Sequence, residues 1–191
     1  MQPVGRKLAG LFVKYDIIDV EMRKNYEYVI EIIIERLISY ISILFISLVF
    51  DKLIPGFLFV SFFVLLRRYT GGYHAKSFAG CYFGSVFLLL TVIGLGEISF
   101  SSALMGALII ISIITVLAVG TVKHLNMNYS LSELRESKRA ARYILLLEMI
   151  IIVSMYILGA SQQCLRYMCM GIIMCAAGIV VAKIFKQEDC E

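Results

Sequence analysis

Apolar residues in this chain fall into blocks, and most of the blocks have the length a bilayer demands, about 20 largely apolar residues for a helix. Such runs extend from about Val29 to Phe50, Cys81 to Phe100, Ala103 to Val122, Tyr143 to Ala160 and Cys164 to Ala182. One more, Leu53 to Leu66, holds only 14 residues and carries Pro55 and Gly56, so its length also fits a re-entrant segment. Counting it gives six spans. Ahead of the first span the pattern changes. Leu8, Leu11, Phe12, Tyr15, Ile18, Met22 and Tyr26 recur at three- and four-residue spacing, with charged residues on the other side. This predicts an amphipathic helix, either lying on the membrane interface or packed over the end of the bundle.

The fold class that follows is an all-α membrane protein of six transmembrane helices with an N-terminal amphipathic helix. Residues 1–28 form that helix, 29–182 the helical bundle and 183–191 a tail, together a single integral membrane domain. The longest later polar stretch, 123–142, contains Ser130 and Glu133 in capping-box spacing, which predicts a short amphipathic helix before the fifth span.

Composition sharpens this picture. The chain has 191 residues, 60% hydrophobic and 17% charged, an apolar excess that excludes a disordered chain and an ordinary cytosolic enzyme. The net charge of +4 matters less than its distribution. With six spans, one face receives fifteen Lys and Arg residues, whereas the other receives only Lys52 and Arg166. Positive charge stays cytoplasmic, so both termini are expected there. No apolar stretch with a small-residue cleavage site precedes residue 29, so no cleavable signal peptide is expected.

Five cysteines, at 81, 164, 169, 175 and 190, make an odd number without a CxxC pair. With two histidines in total, neither a disulfide framework nor a metal site is expected. No cofactor and no nucleic-acid partner is implied. The chain contains neither a GxxxxGK[ST] loop nor an HExxH motif, which removes an ATP-driven exporter and a zinc hydrolase from consideration.

Chemistry concentrates between the second and third spans, in RRYTGGYHAKSFAGC, residues 67–81. Gly71 and Gly72 permit backbone angles and close approaches that a side chain would block. His74 and Cys81 are a candidate nucleophile and base: a thiolate attacks a carbonyl while imidazole takes and returns the proton. Arg67, Arg68 and Lys76 favour the anionic sulfur. Seven residues of straight helix would hold His74 and Cys81 about 10 Å apart along the axis, too far for proton transfer. A dyad therefore requires a non-helical turn between Gly71 and Gly80, with Cys81 near a helix N-terminus. Carboxylates also occur in or near spans. Glu31, Glu35 and Glu148 lie within about two turns of the cytoplasmic boundary, where snorkelling lowers their cost, and Glu31 and Glu35 are candidates for substrate contact. Glu97 is the fourth. The cysteines of the last span read as buried apolar residues.

Arg67, Gly71, Gly72, His74, Ala75 and Cys81 together match the pattern RxxxGGxHAxxxxxC. This resembles the accessory gene regulator B (AgrB) family, bacterial membrane cysteine endopeptidases that process quorum-sensing pro-peptides. The similarity extends to length, spans and basic N-terminus. Many relatives carry prolines after the fourth span, where this chain reads Val122 to Asn126. The resemblance implies Cys81 as catalytic cysteine and His74 as catalytic histidine; Arg67, Gly71 and Gly72 from the motif, and Lys76, Glu31 and Glu35 from their charge and placement, are the supporting or substrate-binding candidates. It also implies an AgrD-type pro-peptide substrate, cleaved at its C-terminal tail through a thioester and cyclised, and a homodimer among membrane lipids. The competing reading, from composition alone, is a non-enzymatic membrane transporter or assembly subunit.

The charge asymmetry generates a direct test. A membrane-impermeant maleimide is expected to label Cys81 in inverted vesicles and not in intact cells, and a cysteine placed at Lys52 to behave oppositely. Labelling of Cys81 from outside would overturn the six-span topology.

Overall fold

The structure, a computed structural model, describes residues 2–73, 78–98, 101–122 and 131–185. Every element among them is helical: α1 (Gln2–Lys14), a 3-10 turn (Val20–Met22), α2 (Arg23–Val49), α3 (Leu53–Thr70), α4 (Phe78–Glu97), α5 (Ser102–Val119), α6 (Leu131–Ile157) and α7 (Gln162–Ile184). Helices α2 to α7 are each long and apolar enough to cross a membrane, six in all. The chain packs as two compact units, Met1–Ile43 and Leu44–Glu191.

In the first unit, the period of apolar residues from Leu8 to Tyr26 does not make one helix. Helix α1 stops at Lys14 because Asp16 takes a left-handed conformation, φ 52°. The Asp16 amide donates to the Val13 carbonyl at 3.1 Å and the Ile17 amide to the Phe12 carbonyl at 2.9 Å. That pair of bonds is a Schellman ending, with aspartate where glycine is commoner. Aspartate tolerates this conformation better than most residues, and no Gly or Pro marked it. The chain then re-enters helix through the 3-10 turn. Arg6 pairs with Glu27 at 3.1 Å across α1 and α2.

In the second unit, α7 is the central helix, packing on α3, α4, α5 and α6. Its most extensive partner is α3. The core joins Phe62 and Leu66 of α3, Val116 of α5, Leu145 of α6 and Leu165, Met168, Ile172, Cys175 and Ile179 of α7. Gly171 makes the closest approach in this packing: a β-carbon there would sit 2.8 Å from Phe62 Cβ and 3.1 Å from the Phe59 carbonyl oxygen. In lipid, where apolar side chains gain nothing from leaving water, such small residues are what let helices associate closely.

The short second segment turns out to be a full helix. Pro55 sits in the first turn of α3, where its missing N–H would have had no intrahelical partner. The helix then continues past Leu66 through Arg67 and Arg68 to Thr70, 18 residues in all. Helices elsewhere also overrun their apolar blocks. Helix α2 begins at Arg23, and the helix expected to start at the Ser130 capping box is continuous with the fifth span as the 27-residue α6, Leu131–Ile157. Polar residues outside the hydrocarbon do not stop a helix, so apolar length underestimates helix length. The two basic residues of the sparsely charged face both engage the end of α4. Lys52 pairs with Glu97 at 2.8 Å, and Arg166 donates to the carbonyls of Gly96 and Ile98, both at 3.3 Å.

Glu148 corrects a reading of the sequence. It does not snorkel: the residue is 1% exposed, and neither carboxyl oxygen has a hydrogen-bond partner among the described residues. Even a neutral polar group buried without a partner costs about 2–7 kcal/mol. Replacing Glu148 with methionine, of similar volume and apolar, is therefore expected to stabilise the protein by about 1 kcal/mol or more. The check is thermal unfolding in detergent, and a lowered midpoint would show that the carboxyl is held by a partner.

Candidate functional site

The basic, glycine-rich segment begins as the last turn of α3. Gly71 ends that helix with φ 67°, its amide donating to the Arg67 carbonyl at 2.9 Å. Gly72 follows at φ 129°, a region open in practice to glycine alone. The next described helix, α4, runs from Phe78. The segment is thus not one straight helix, as a Cys–His pair requires, although helix resumes before Gly80 rather than after it.

Four separate contacts clamp the start of this break. The Val122 amide donates to the Thr70 carbonyl at 2.8 Å, and the Thr121 hydroxyl to the Tyr69 carbonyl at 2.9 Å. Thr70 Oγ1 lies 3.1 Å from Cys175 Sγ. The Tyr73 amide donates to the Gly178 carbonyl at 3.1 Å. Gly71 has no room for a side chain, since a β-carbon there would meet the Val122 carbonyl oxygen at 2.6 Å. Tyr73 also packs its ring on Phe185, 5.7 Å between centroids.

Arg67 is held inside this clamp. Its guanidinium donates to the Tyr73 carbonyl and lies over the Phe63 ring, 5.4 Å from the centroid. It is also within electrostatic range of the thiols of Cys175 and Cys81. Arg68, by contrast, is exposed. Cys81 occupies the first turns of α4, exposed and unoxidised. Its carbonyl accepts from the Ser85 hydroxyl at 2.9 Å, an ordinary helix contact that leaves the sulfur uninvolved.

Of the residues singled out in the sequence, the structure brings Arg67, Gly71 and Gly72 together, with Cys81 within electrostatic range of Arg67. His74 and Lys76 lie outside the described residues. Glu31 and Glu35 belong to the first unit, both half-buried on α2. Glu31 lines an open cleft of about 320 Å³ with Arg6, Lys24, Glu27 and Tyr28. Gly5 abuts it, since a β-carbon there would stand 2.6 Å from Glu31 Cγ. Among the described residues no group of three or more metal-ligating side chains converges.

Sequence reasoning missed Thr70, Thr121, Val122, Cys175 and Gly178. A signal for part of this set existed. Gly171, Cys175 and Gly178 are spaced four and three apart, which lines small residues along one face of a membrane helix.

The fold and site define a multi-pass helical membrane protein with an exposed thiol at the head of one span and an arginine-anchored turn close by. The sequence model of the Accessory gene regulator B family matches residues 6–181, and the chain belongs to that family. Membership places it in the processing of quorum-sensing peptides. No curated protein and no solved structure matches the chain.

The glycines separate cleanly in their expected sensitivity. Gly71→Ala meets both a positive φ and the Val122 carbonyl, so it should destabilise by about 1–3 kcal/mol. Gly84→Ala in α4 meets open space and should be neutral, or stabilising by up to about 1 kcal/mol from helix propensity. Thermal unfolding of the purified variants decides. Equal effects would contradict the close approach at Val122.

Proposed function

We propose that this protein is a membrane-embedded cysteine endopeptidase that removes the C-terminal tail of an AgrD-type pro-peptide and promotes its cyclisation. One observation carries the reading: an exposed Cys81 thiol heads a membrane helix just after a break in a basic segment, in a member of the AgrB family.

In this mechanism Cys81 Sγ, as thiolate, attacks the carbonyl joining the future signal peptide to the acidic tail, and His74 holds the thiol proton. The tetrahedral intermediate collapses as the C–N bond breaks. The leaving amine takes the proton from His74, the tail departs and the signal portion remains as a thioester on Cys81. A cysteine thiol within the bound peptide then attacks the thioester, forming a thiolactone and returning the Cys81 thiol. A serine there would yield a lactone. The exchange of one thioester for another is nearly isoenergetic, whereas making a thioester from an amide is uphill. Net progress therefore depends on removing the released tail.

Charge fits such a substrate. Arg68 and Lys76 supply positive charge for an acidic tail, while Glu31, Glu35 and the charged cleft of the first unit offer contacts for a leader. Fifteen of the loop cations fall on one side under six-span topology, which puts that side and both termini in the cytoplasm, where the pro-peptide is made. That compartment also keeps Cys81 reduced. We place the protein in the bacterial cell membrane and expect it to act as a homodimer.

Co-expression with the pro-peptide and mass spectrometry tests the reading. Wild-type protein should release the tail and carry a peptide adduct on Cys81. Cys81→Ala should abolish both, and His74→Ala should lower processing at least about a hundredfold. Cys164→Ala and Cys169→Ala should retain it. Unchanged processing by Cys81→Ala would sink the proposal.

A further inference from the structure

Arg67 is the one guanidinium in the described part of the second unit that reaches back over the end of its own helix to a loop carbonyl, and what makes room for it is on another helix. A β-carbon at Gly72 would sit 2.5 Å from Arg67 Nη1, and one at Gly178 would sit 2.7 Å from the same atom. The two glycines therefore both border the slot filled by that nitrogen. The two backbones also run close, since a Gly72 β-carbon would lie 3.3 Å from the Gly178 carbonyl carbon. The carbonyl of Gly178 accepts the Tyr73 amide, while the carbonyl of Tyr73 accepts the Arg67 guanidinium. Both polar ends of the Tyr73 backbone are thereby tied down, one by α7 and one by α3. Tyr73 is covalently followed by His74.

We propose that Gly178 is a positioning residue for the Cys81 chemistry: with Gly72 it shapes the slot that seats Arg67 on the Tyr73 carbonyl, and so fixes the backbone entering residue 74. The catalytic consequence rests on the peptidase reading, but the slot itself does not. The function of Arg67 is accordingly to orient the chain, not to touch substrate. A side chain at 178 has two ways to be accommodated, displacement of the guanidinium or withdrawal of the 72–73 backbone from α7. Either one releases the Tyr73 anchor.

Helix α7 contains its own control. Gly171 lies seven residues earlier on the same helix, equally tight against α3, but its neighbours are Phe59, Phe62 and Phe63 rather than Arg67. Substitution there disturbs the helix pair without entering the slot.

The experiment compares Gly178→Ala, Gly171→Ala, Arg67→Lys and Gly178→Ala combined with Arg67→Lys, all in full-length protein in membrane vesicles. Alkylation of Cys81 by iodoacetamide is followed across pH by mass spectrometry of the peptide carrying it, and pro-peptide processing is resolved into kcat and KM. Gly178→Ala is expected to lower kcat roughly ten- to a hundredfold with little change in KM, as misplacement of a catalytic group does. It should also alter the pH profile of Cys81 alkylation at unchanged protein abundance. Gly171→Ala is expected to lower the unfolding temperature and leave that profile as in wild type. Lysine lacks the branched nitrogen that fills the slot, so the double variant should lose less than the product of the two single losses.

Wild-type alkylation and processing in Gly178→Ala would overturn the proposal. So would equal effects of Gly171→Ala on the alkylation profile, or strictly multiplicative losses in the double variant. If Cys81→Ala still processes substrate while Gly178→Ala shifts Cys81 alkylation, the peptidase reading fails and the slot stands.

Discussion

Close approach of two backbones, α3 and α7, is the constraint on which the second unit depends. Phe59 to Phe63 lie against Gly171, Thr70 against Cys175, and Arg67 with Gly72 against Gly178, so the two helices run in the same direction along their contact. Helices in lipid cannot rely on apolar surface leaving water, since the tails are as apolar as the side chains. What remains is dispersion at short range and a few polar contacts. Individual interhelical hydrogen bonds in membranes are worth about 0.6 kcal/mol on average, so Thr70 to Cys175 and Tyr73 to Gly178 do not hold the pair by themselves. Packing at the glycines does, and the polar contacts then set its register.

That register has chemical consequences. It positions the end of α3 so that Thr70 and Tyr69 meet residues 121 and 122 just after α5, and it makes the helix stop where a positive-φ glycine is available. The stop means that α3 does not continue as a straight helix beyond Thr70. An arginine near a thiol could have been only a source of positive charge. Its hydrogen bond to the Tyr73 carbonyl makes it structural as well, and the same guanidinium serves both ends.

Buried polarity is distributed unevenly around this contact. Thr70 and Cys175, both fully buried, satisfy each other. Glu148 and the Tyr167 hydroxyl have no partner among the described residues. Orphaned groups of this kind weaken a fold, and in membrane helices they concentrate where function requires them. The well-satisfied part of the core is thus the part next to the end of α3 and the glycine pair that follows it.

Much of this was legible in the residues themselves. Six spans follow from runs such as Ala103 to Val122, because the thickness of a bilayer converts directly into a residue count. The reactive segment stood out because Arg67, Gly71, Gly72, His74 and Cys81 crowd into one polar interval, and a family pattern runs through them. Helix ends were less legible: α2 and α6 begin well before their apolar blocks, since a helix persists in polar residues beyond the hydrocarbon. The break at Asp16 carried no glycine to announce it. Which faces meet was not legible at all. Gly178 reads as one more small residue in a membrane helix, and Glu148 as a carboxylate near enough to a boundary to reach water. Apolar length is a local property that any sequence displays, whereas in lipid every apolar face looks alike until a partner helix selects one. Only the tertiary packing of α3 on α7 made that selection, because it depends on where two backbones can approach within van der Waals distance.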